Sequence, residues 1–238
     1  MLSFVGLEAG VNTNIGGAGL TDAQLMGENH IKQLPRNSVA KRVLDVTLAS
    51  LALVFLAPAF LLICLLVKLG DGGPAMFAHR RYGVHGRTFQ CLKFRSMVVD
   101  AEDRLRQHLA DNPDAAAEWA RDHKLRHDPR ITRVGAFLRK TSLDELPQLI
   151  NILRGQMSVV GPRPIVHEEV IKYGDRFKYY AATRPGLTGA WQVSGRNHID
   201  YDTRVEMDAD YVRTWSIWSD LRIILLTVPA VLLRRGAF

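Results

Sequence analysis

The chain has 238 residues, 47% of them hydrophobic, and a formal net charge of +7. That much apolar material supports a packed core and excludes a disordered chain, while the positive balance points to anionic partners: nucleic acid, phosphorylated small molecules or an acidic membrane surface. Only two cysteines occur, Cys64 and Cys91, which argues against a disulfide framework or a CxxC site and fits a reducing compartment.

Residues 1–37 carry scattered polar residues with no sustained period and no charged-then-apolar signal pattern, and are read as a flexible tail. The next block, 38–73, is a membrane segment. From Val46 to Val67 it holds no charge over 22 residues. As a straight helix that run would reach about 33 Å, against about 30 Å for a hydrocarbon core. Pro58 lies near its middle, and cations flank both ends: Lys41 and Arg42 before, Lys68, Arg80 and Arg81 after. A straight span would place one basic flank on the outer face, whereas a helix that bends at Pro58 and returns keeps both flanks on one side. The re-entrant hairpin is therefore the expectation, with a proline-kinked span as its alternative.

Residues 74–238 are read as one cytosolic-face domain. Aromatic and β-branched residues on either side of His85-Gly86 predict a short β-hairpin. Asp100 to Arg126 is highly charged and reads as one or two solvated helices interrupted at Asn112-Pro113. His123 and His127 sit four apart there, a spacing that suits two metal ligands on one helical face, but the absence of a third ligand nearby favours a solvated surface. Leu143, Leu146, Leu149, Ile150 and Leu153 recur at helical spacing up to Arg154-Gly155. The segment MSVVGPRPIV reads as a short strand entering a proline-bracketed arginine, and RPGLTGAWQVSGR as a glycine-rich loop with an inward-facing Trp191. Residues 201–234 form a long amphipathic pattern whose uncharged stretch, Ile223 to Leu233, is only 11 residues long, so it is placed in the membrane interface.

The stretch KTSLDELPQL carries the acidic pair Asp144 and Glu145. Ser142 followed by Glu145 looks like a capping box, but that register puts Pro147 where a helix needs its N–H. A helix starting at Asp144 removes the conflict and sets both carboxylates at the positive end of the helix dipole. Cations lie near this pair in the sequence pattern: Lys93 and Arg95 in KFRSM, Arg139 and Lys140 just before it, and Arg163 between Pro162 and Pro164. An arginine held between two prolines has a restricted exit direction and a fork of donors that suits phosphate. The bland alternative is a set of membrane-surface cations, preferred for Lys140 and Arg154.

The runs KFRSM, DPRITRVGAFLRKTSLDELPQLINILRGQMSVVGPRP and RPGLTGAWQVSGR resemble, in order and spacing, the bacterial sugar transferase family. These are monotopic polyprenyl-phosphate phosphoglycosyl transferases that initiate exopolysaccharide and O-antigen synthesis, and the resemblance covers residues 38–236. It implies a helix-rich α/β fold: one membrane-associated domain with a re-entrant helix, a small β-hairpin or sheet and interfacial amphipathic helices. It further implies that Asp144 is the nucleophile and Glu145 a ligand of an essential Mg²⁺. Lys93, Arg95, Arg139 and the Pro162-Arg163-Pro164 loop would then organise the nucleotide-sugar phosphates, while Lys41 and Arg42 face the membrane surface. The implied reaction moves hexose 1-phosphate, of galactose or glucose, from a UDP-sugar to undecaprenyl phosphate through an aspartyl-phosphosugar, releasing UMP at the cytoplasmic face of the bacterial inner membrane. The family often has Ser-Pro at the helix break; here it is Ala57-Pro58. A non-catalytic basic adaptor binding anionic lipid is the competing reading. Nucleic acid is not expected, and the interfacial helices leave room for a homodimer.

Overall fold

The computed structural model describes residues 34–122, 124–194 and 199–232. Of the expected tail only its end lies among them, and that end is ordered against the core: Leu34 is 5% exposed and Pro35–Asn37 form a 3-10 turn. Ser38 then caps helix α1, Val39–Asp71, by accepting from the Lys41 amide, and Gly72 ends it in the left-handed region.

Pro58 lies inside α1, which is one continuous helical element. The expected pair of helices joined by a return is therefore not seen as two helices. Both ends of α1 nonetheless dock on the same domain. Near its start Ala49 packs with Cys91, Leu149, Ile152 and Met157, and near its end Ile63 and Val67 pack with Phe94 and Leu138. Between and around these contacts Leu51, Val54, Phe55, Leu61, Leu62 and Leu65 are exposed. The most apolar 18-residue window of α1 has a mean hydropathy of 2.8, yet only 11% of it is buried, which separates it from the core helix of a water-soluble domain.

The predicted hairpin is present. Strands β1, Met76–Tyr82, and β2, Thr88–Phe94, pair antiparallel with Phe77 opposite Lys93, His79 opposite Cys91 and Arg81 opposite Phe89. The turn works because His85 and Gly86 both adopt positive φ. Two helices follow, α2 (Ala101–Asp111) and α3 (Pro113–Asp122), broken where Pro113 cannot continue the first. Helix α4, Arg133–Thr141, returns to the hairpin, and a Cβ on its Gly135 would stand 2.0 Å from the Ser96 carbonyl oxygen, so only glycine lets it approach β2 this closely.

After α4 the chain makes a 3-10 turn, Leu143–Glu145, and continues into α5, Gln148–Leu153. Strand β3, Ser158–Val160, pairs in parallel with β4, Gly186–Thr188, and the crossover between them carries α6, His167–Tyr173, and α7, Phe177–Ala181. The two glycine-containing segments flagged in the sequence thus meet: a Cβ on Gly186 would lie 2.1 Å from the Gly161 nitrogen. Short α8 (Ala190–Ser194) is followed by α9 (Tyr201–Arg213) and α10 (Ile217–Leu232), so the expected continuous pattern over 201–234 is two helices interrupted after Arg213. Trp218, Leu225, Leu226 and Val228 of α10 are exposed.

Lys41 corrects the expectation of a membrane-surface cation. It is 2% exposed, and its ammonium donates to Asp220 Oδ2 at 2.7 Å, the Val160 carbonyl at 2.9 Å and the Tyr211 hydroxyl at 3.2 Å. Arg42 is half-buried and spends its fork on the protein, donating to the carbonyls of Ile152 and Leu153 at the end of α5. Removing one partner of an enclosed ion pair leaves the other charge without compensation. Lys41→Met is expected to destabilise the detergent-solubilised protein by about 3 kcal/mol, read as a lowered urea midpoint. An unchanged midpoint would contradict the role assigned to this pair.

Candidate active site

The acidic pair sits neither in a capping box nor at the start of a long helix. Ser142 is the left-handed residue that terminates α4, its side chain caps nothing, and Pro147 occupies the N-cap of α5. Asp144 and Glu145 therefore occupy one tight turn between two helices, and Leu143 and Leu146 beside them pack on the cluster of Ile63, Val67, Phe94 and Leu138. Proline is tolerated here because the first amides of a helix lack intrahelical partners.

Lys93 of β2 joins the two carboxylates. Its ammonium lies 2.6 Å from Glu145 Oε1 and 3.5 Å from Asp144 Oδ2. Asp144 is 8% exposed, and burial, reinforced by the Glu145 charge, holds its carboxyl above the ordinary value against the pull of Lys93 and Arg139. Burial acts on Glu145 in the same direction, but Lys93, Arg163 and Arg81 outweigh it and hold that carboxyl below its ordinary value. Two adjacent carboxylates are thus placed in different electrostatic positions, one strongly compensated and one less so.

The other expected phosphate-binding residues divide. Arg163 is exposed and its guanidinium lies 6.0 Å from the centre of the Trp191 ring. Its proline neighbours hold the loop and do not themselves line the site by their side-chain chemistry: the Pro162 carbonyl accepts from the Gly186 amide at 2.7 Å, and the Pro164 carbonyl from Arg81 at 3.4 Å. Arg139 is exposed and donates through Nε to Ser96 Oγ at 2.8 Å. Arg95 is a correction. It is 8% exposed, donates to both Asp71 oxygens and gives its Nε to the Pro74 carbonyl at 2.7 Å, so it ties the end of α1 to β2.

Arg81, read from the sequence only as a membrane flank, faces this site. On β1 it shares a face with His79 and Phe77, the last of which pairs with Lys93. Period-2 alternation carried through the hairpin register is the signal that finds it. Of the two histidines considered as metal ligands, His123 lies outside the described residues and His127 is exposed.

Among the described residues no three His, Cys, Asp or Glu side chains cluster to form a metal cage. A Mg²⁺ ion does not require one, because it usually binds one or two carboxylates and completes its shell with substrate phosphates and water. Asp144 and Glu145 are the hard oxygen donors available to such an ion, which would share them with the Lys93 ammonium that contacts both.

The bacterial sugar transferase family model matches residues 36–234. The chain belongs to the bacterial sugar transferase family. Exopolysaccharide production protein ExoY of Rhizobium meliloti is 52% identical over 204 residues, 86% of this chain and 90% of that protein. Undecaprenyl-phosphate galactose phosphotransferase of Salmonella typhimurium is 52% identical over 199 residues, 83% of this chain but 41% of that protein. A UDP-glucose:undecaprenyl-phosphate glucose-1-phosphate transferase of Caulobacter vibrioides is 45% identical over 215 residues, 86% of this chain and 75% of its own length. This chain thus spans less than half of the Salmonella relative. Family membership makes it an enzyme and sets aside the adaptor reading.

The two basic residues of KFRSM are expected to behave differently on truncation. Lys93→Met is expected to lower transferase turnover by about 100-fold through loss of the charge-assisted contact to Asp144 and Glu145. Arg95→Met lowers the denaturation midpoint and leaves the KM for the sugar donor within about 2-fold, since its donors serve the protein backbone and Asp71. Donor kinetics and urea melts on the two variants check the division.

Proposed function

We propose that this sugar transferase moves a hexose 1-phosphate from a UDP-hexose to undecaprenyl phosphate, as the first membrane step of exopolysaccharide synthesis. The observation that carries the reading is the placement of Asp144 and Glu145 on one Lys93 ammonium, on a turn whose Leu143 and Leu146 pack on the apolar cluster that α1 shares with β2 and α4. The Salmonella and Caulobacter relatives are named for galactose and glucose transfer to undecaprenyl phosphate, and ExoY for exopolysaccharide production.

Asp144 Oδ attacks the sugar-bearing phosphorus, and the bond from that phosphorus to the bridging oxygen breaks, so UMP leaves with the electron pair. Lys93, Arg81 and Arg163 offset the diphosphate charge that would otherwise repel an incoming carboxylate. Mg²⁺ held by Glu145 supplies further neutralisation of phosphate oxygens when bound. An oxygen of undecaprenyl phosphate then attacks the same phosphorus, forming the lipid diphosphate sugar, and the aspartyl carboxylate is regenerated. The acceptor's polar head and apolar tail demand a reaction centre at the membrane interface, which agrees with a turn packed on α1.

The topology follows the same logic. A helix whose two ends dock on a single domain enters and leaves the bilayer on one side, so we place α1 as a re-entrant element bending at Pro58 on the cytoplasmic face of the inner membrane. The exposed apolar face of α10 lies in the same interface.

Purified protein supplied with UDP-galactose or UDP-glucose, Mg²⁺ and undecaprenyl phosphate is expected to release UMP. Asp144→Asn abolishes that release and Glu145→Gln raises the Mg²⁺ concentration needed. Release of UDP, or unchanged turnover in Asp144→Asn, would sink the covalent scheme. A parallel assay with UDP-N-acetyl sugars tests the hexose assignment, which predicts no more than residual activity with them.

A further inference from the structure

Beyond the acidic turn and its cations, β1 carries a partly buried imidazole that the scheme above does not use. His79 lies on the strand face that holds Phe77 and Arg81, opposite Cys91 and two register steps from the pair Phe77–Lys93. Its ring is 6.0 Å from that of Phe77, centre to centre. Its Nδ1 is buried and has no hydrogen-bond partner. A buried N–H without an acceptor is costlier and rarer than an under-used acceptor, so the proton belongs on Nε2 and the lone pair on Nδ1. Nε2 is not among the buried unpartnered atoms, and no described residue bonds to it. The ring thus has one atom turned into the protein as a bare acceptor and a donor left for something else.

The electrostatic setting agrees with a neutral ring. Burial first, then Arg81 and Lys93, hold the imidazole below its ordinary pKa, with Glu168 opposing. A third full charge between Arg81 and Lys93 would repel both, whereas a neutral N–H adds a directional donor without that cost. Three donors then follow the hairpin face in order: Lys93, which touches the carboxylates, His79, and Arg81, which touches the loop holding Arg163. Register pairs two residues apart lie about 7 Å from each other along a strand, a spacing that suits successive contacts along a phosphate chain and its sugar.

Resting on the reading of the site as one for a nucleoside diphosphate sugar, we propose that His79 is a substrate-binding residue that donates its Nε2–H to a phosphate oxygen of that donor. The recognition is chemical, a neutral donor filling the gap between two cations, and it adds orientation where charge alone would not.

Three substitutions separate this from a packing role. H79Q places an amide donor near the Nε2 position, H79N places one near Nδ1, and H79L keeps bulk without any donor. The measurement is kcat/KM for the UDP-hexose, with UMP release as readout and a urea melt on each variant. H79L and H79N are expected to lose about 10-fold or more, mainly as a raised KM, and H79Q to stay within about 3-fold of the parent. Parent-like kcat/KM in H79L overturns the proposal, as does an equal loss in all three variants or a loss that tracks the melting midpoint. Failure of the underlying reading looks different: the parent protein itself would then release no UMP, or Asp144→Asn would keep releasing it.

Discussion

A fully enclosed ammonium sets the frame of this protein. Lys41 stands where the first turn of α1, strand β3 and the start of α10 converge, and its three hydrogen-bond partners come one from β3, one from α9 and one from α10. Desolvating a charge is tolerable only when every donor is answered, so these elements are held to one arrangement. Asp45, one helical turn further, accepts from Ser158 Oγ and from the Val159 amide and repeats the tie. The strand so pinned runs directly into Gly161-Pro162-Arg163, and the close approach of Gly161 to Gly186 joins that loop to the second strand of its sheet. Helix α1 and the Pro162-Arg163-Pro164 loop are therefore parts of one rigid construction.

The opposite end of α1 performs the corresponding task for the acidic turn. Arg95 clasps Asp71 and the Pro74 carbonyl, so β2 leaves α1 at a fixed place and Lys93, two residues earlier, reaches the carboxylates. Packing of Ile63 and Val67 with Phe94 and Leu138 closes the same corner. Cations of like formal charge thus divide by their neighbours. Lys41, Arg42 and Arg95 spend their donors on the protein, and Lys93, Arg81 and Arg163 surround Glu145.

Much of this was legible along the chain where the controlling interactions are local. The hairpin follows from His85-Gly86, because positive φ is demanded by the turn itself. The break between α2 and α3 follows from Pro113, and the length and apolar character of α1 follow from its composition. The acidic turn was found by residue type and by family resemblance, but its local form was missed: Ser142 reads as an N-cap until the left-handed backbone at the end of α4 is seen. Continuous apolar spacing over 201–234 likewise hid the interruption after Arg213, since the period of a helix survives a short break.

What the sequence by itself determined is the class of protein, a basic sugar transferase with one long apolar helix and a carboxylate pair among cations, because those properties depend on residue types and short spacings. The destination of each cation was decided only by the tertiary structure. Lys41 finds Asp220 across 179 positions and Lys93 finds Glu145 across 52, distances over which no periodicity carries information. Burial separates the two lysines: one is enclosed on every side and becomes part of the frame, while the other keeps an open flank beside the acidic turn.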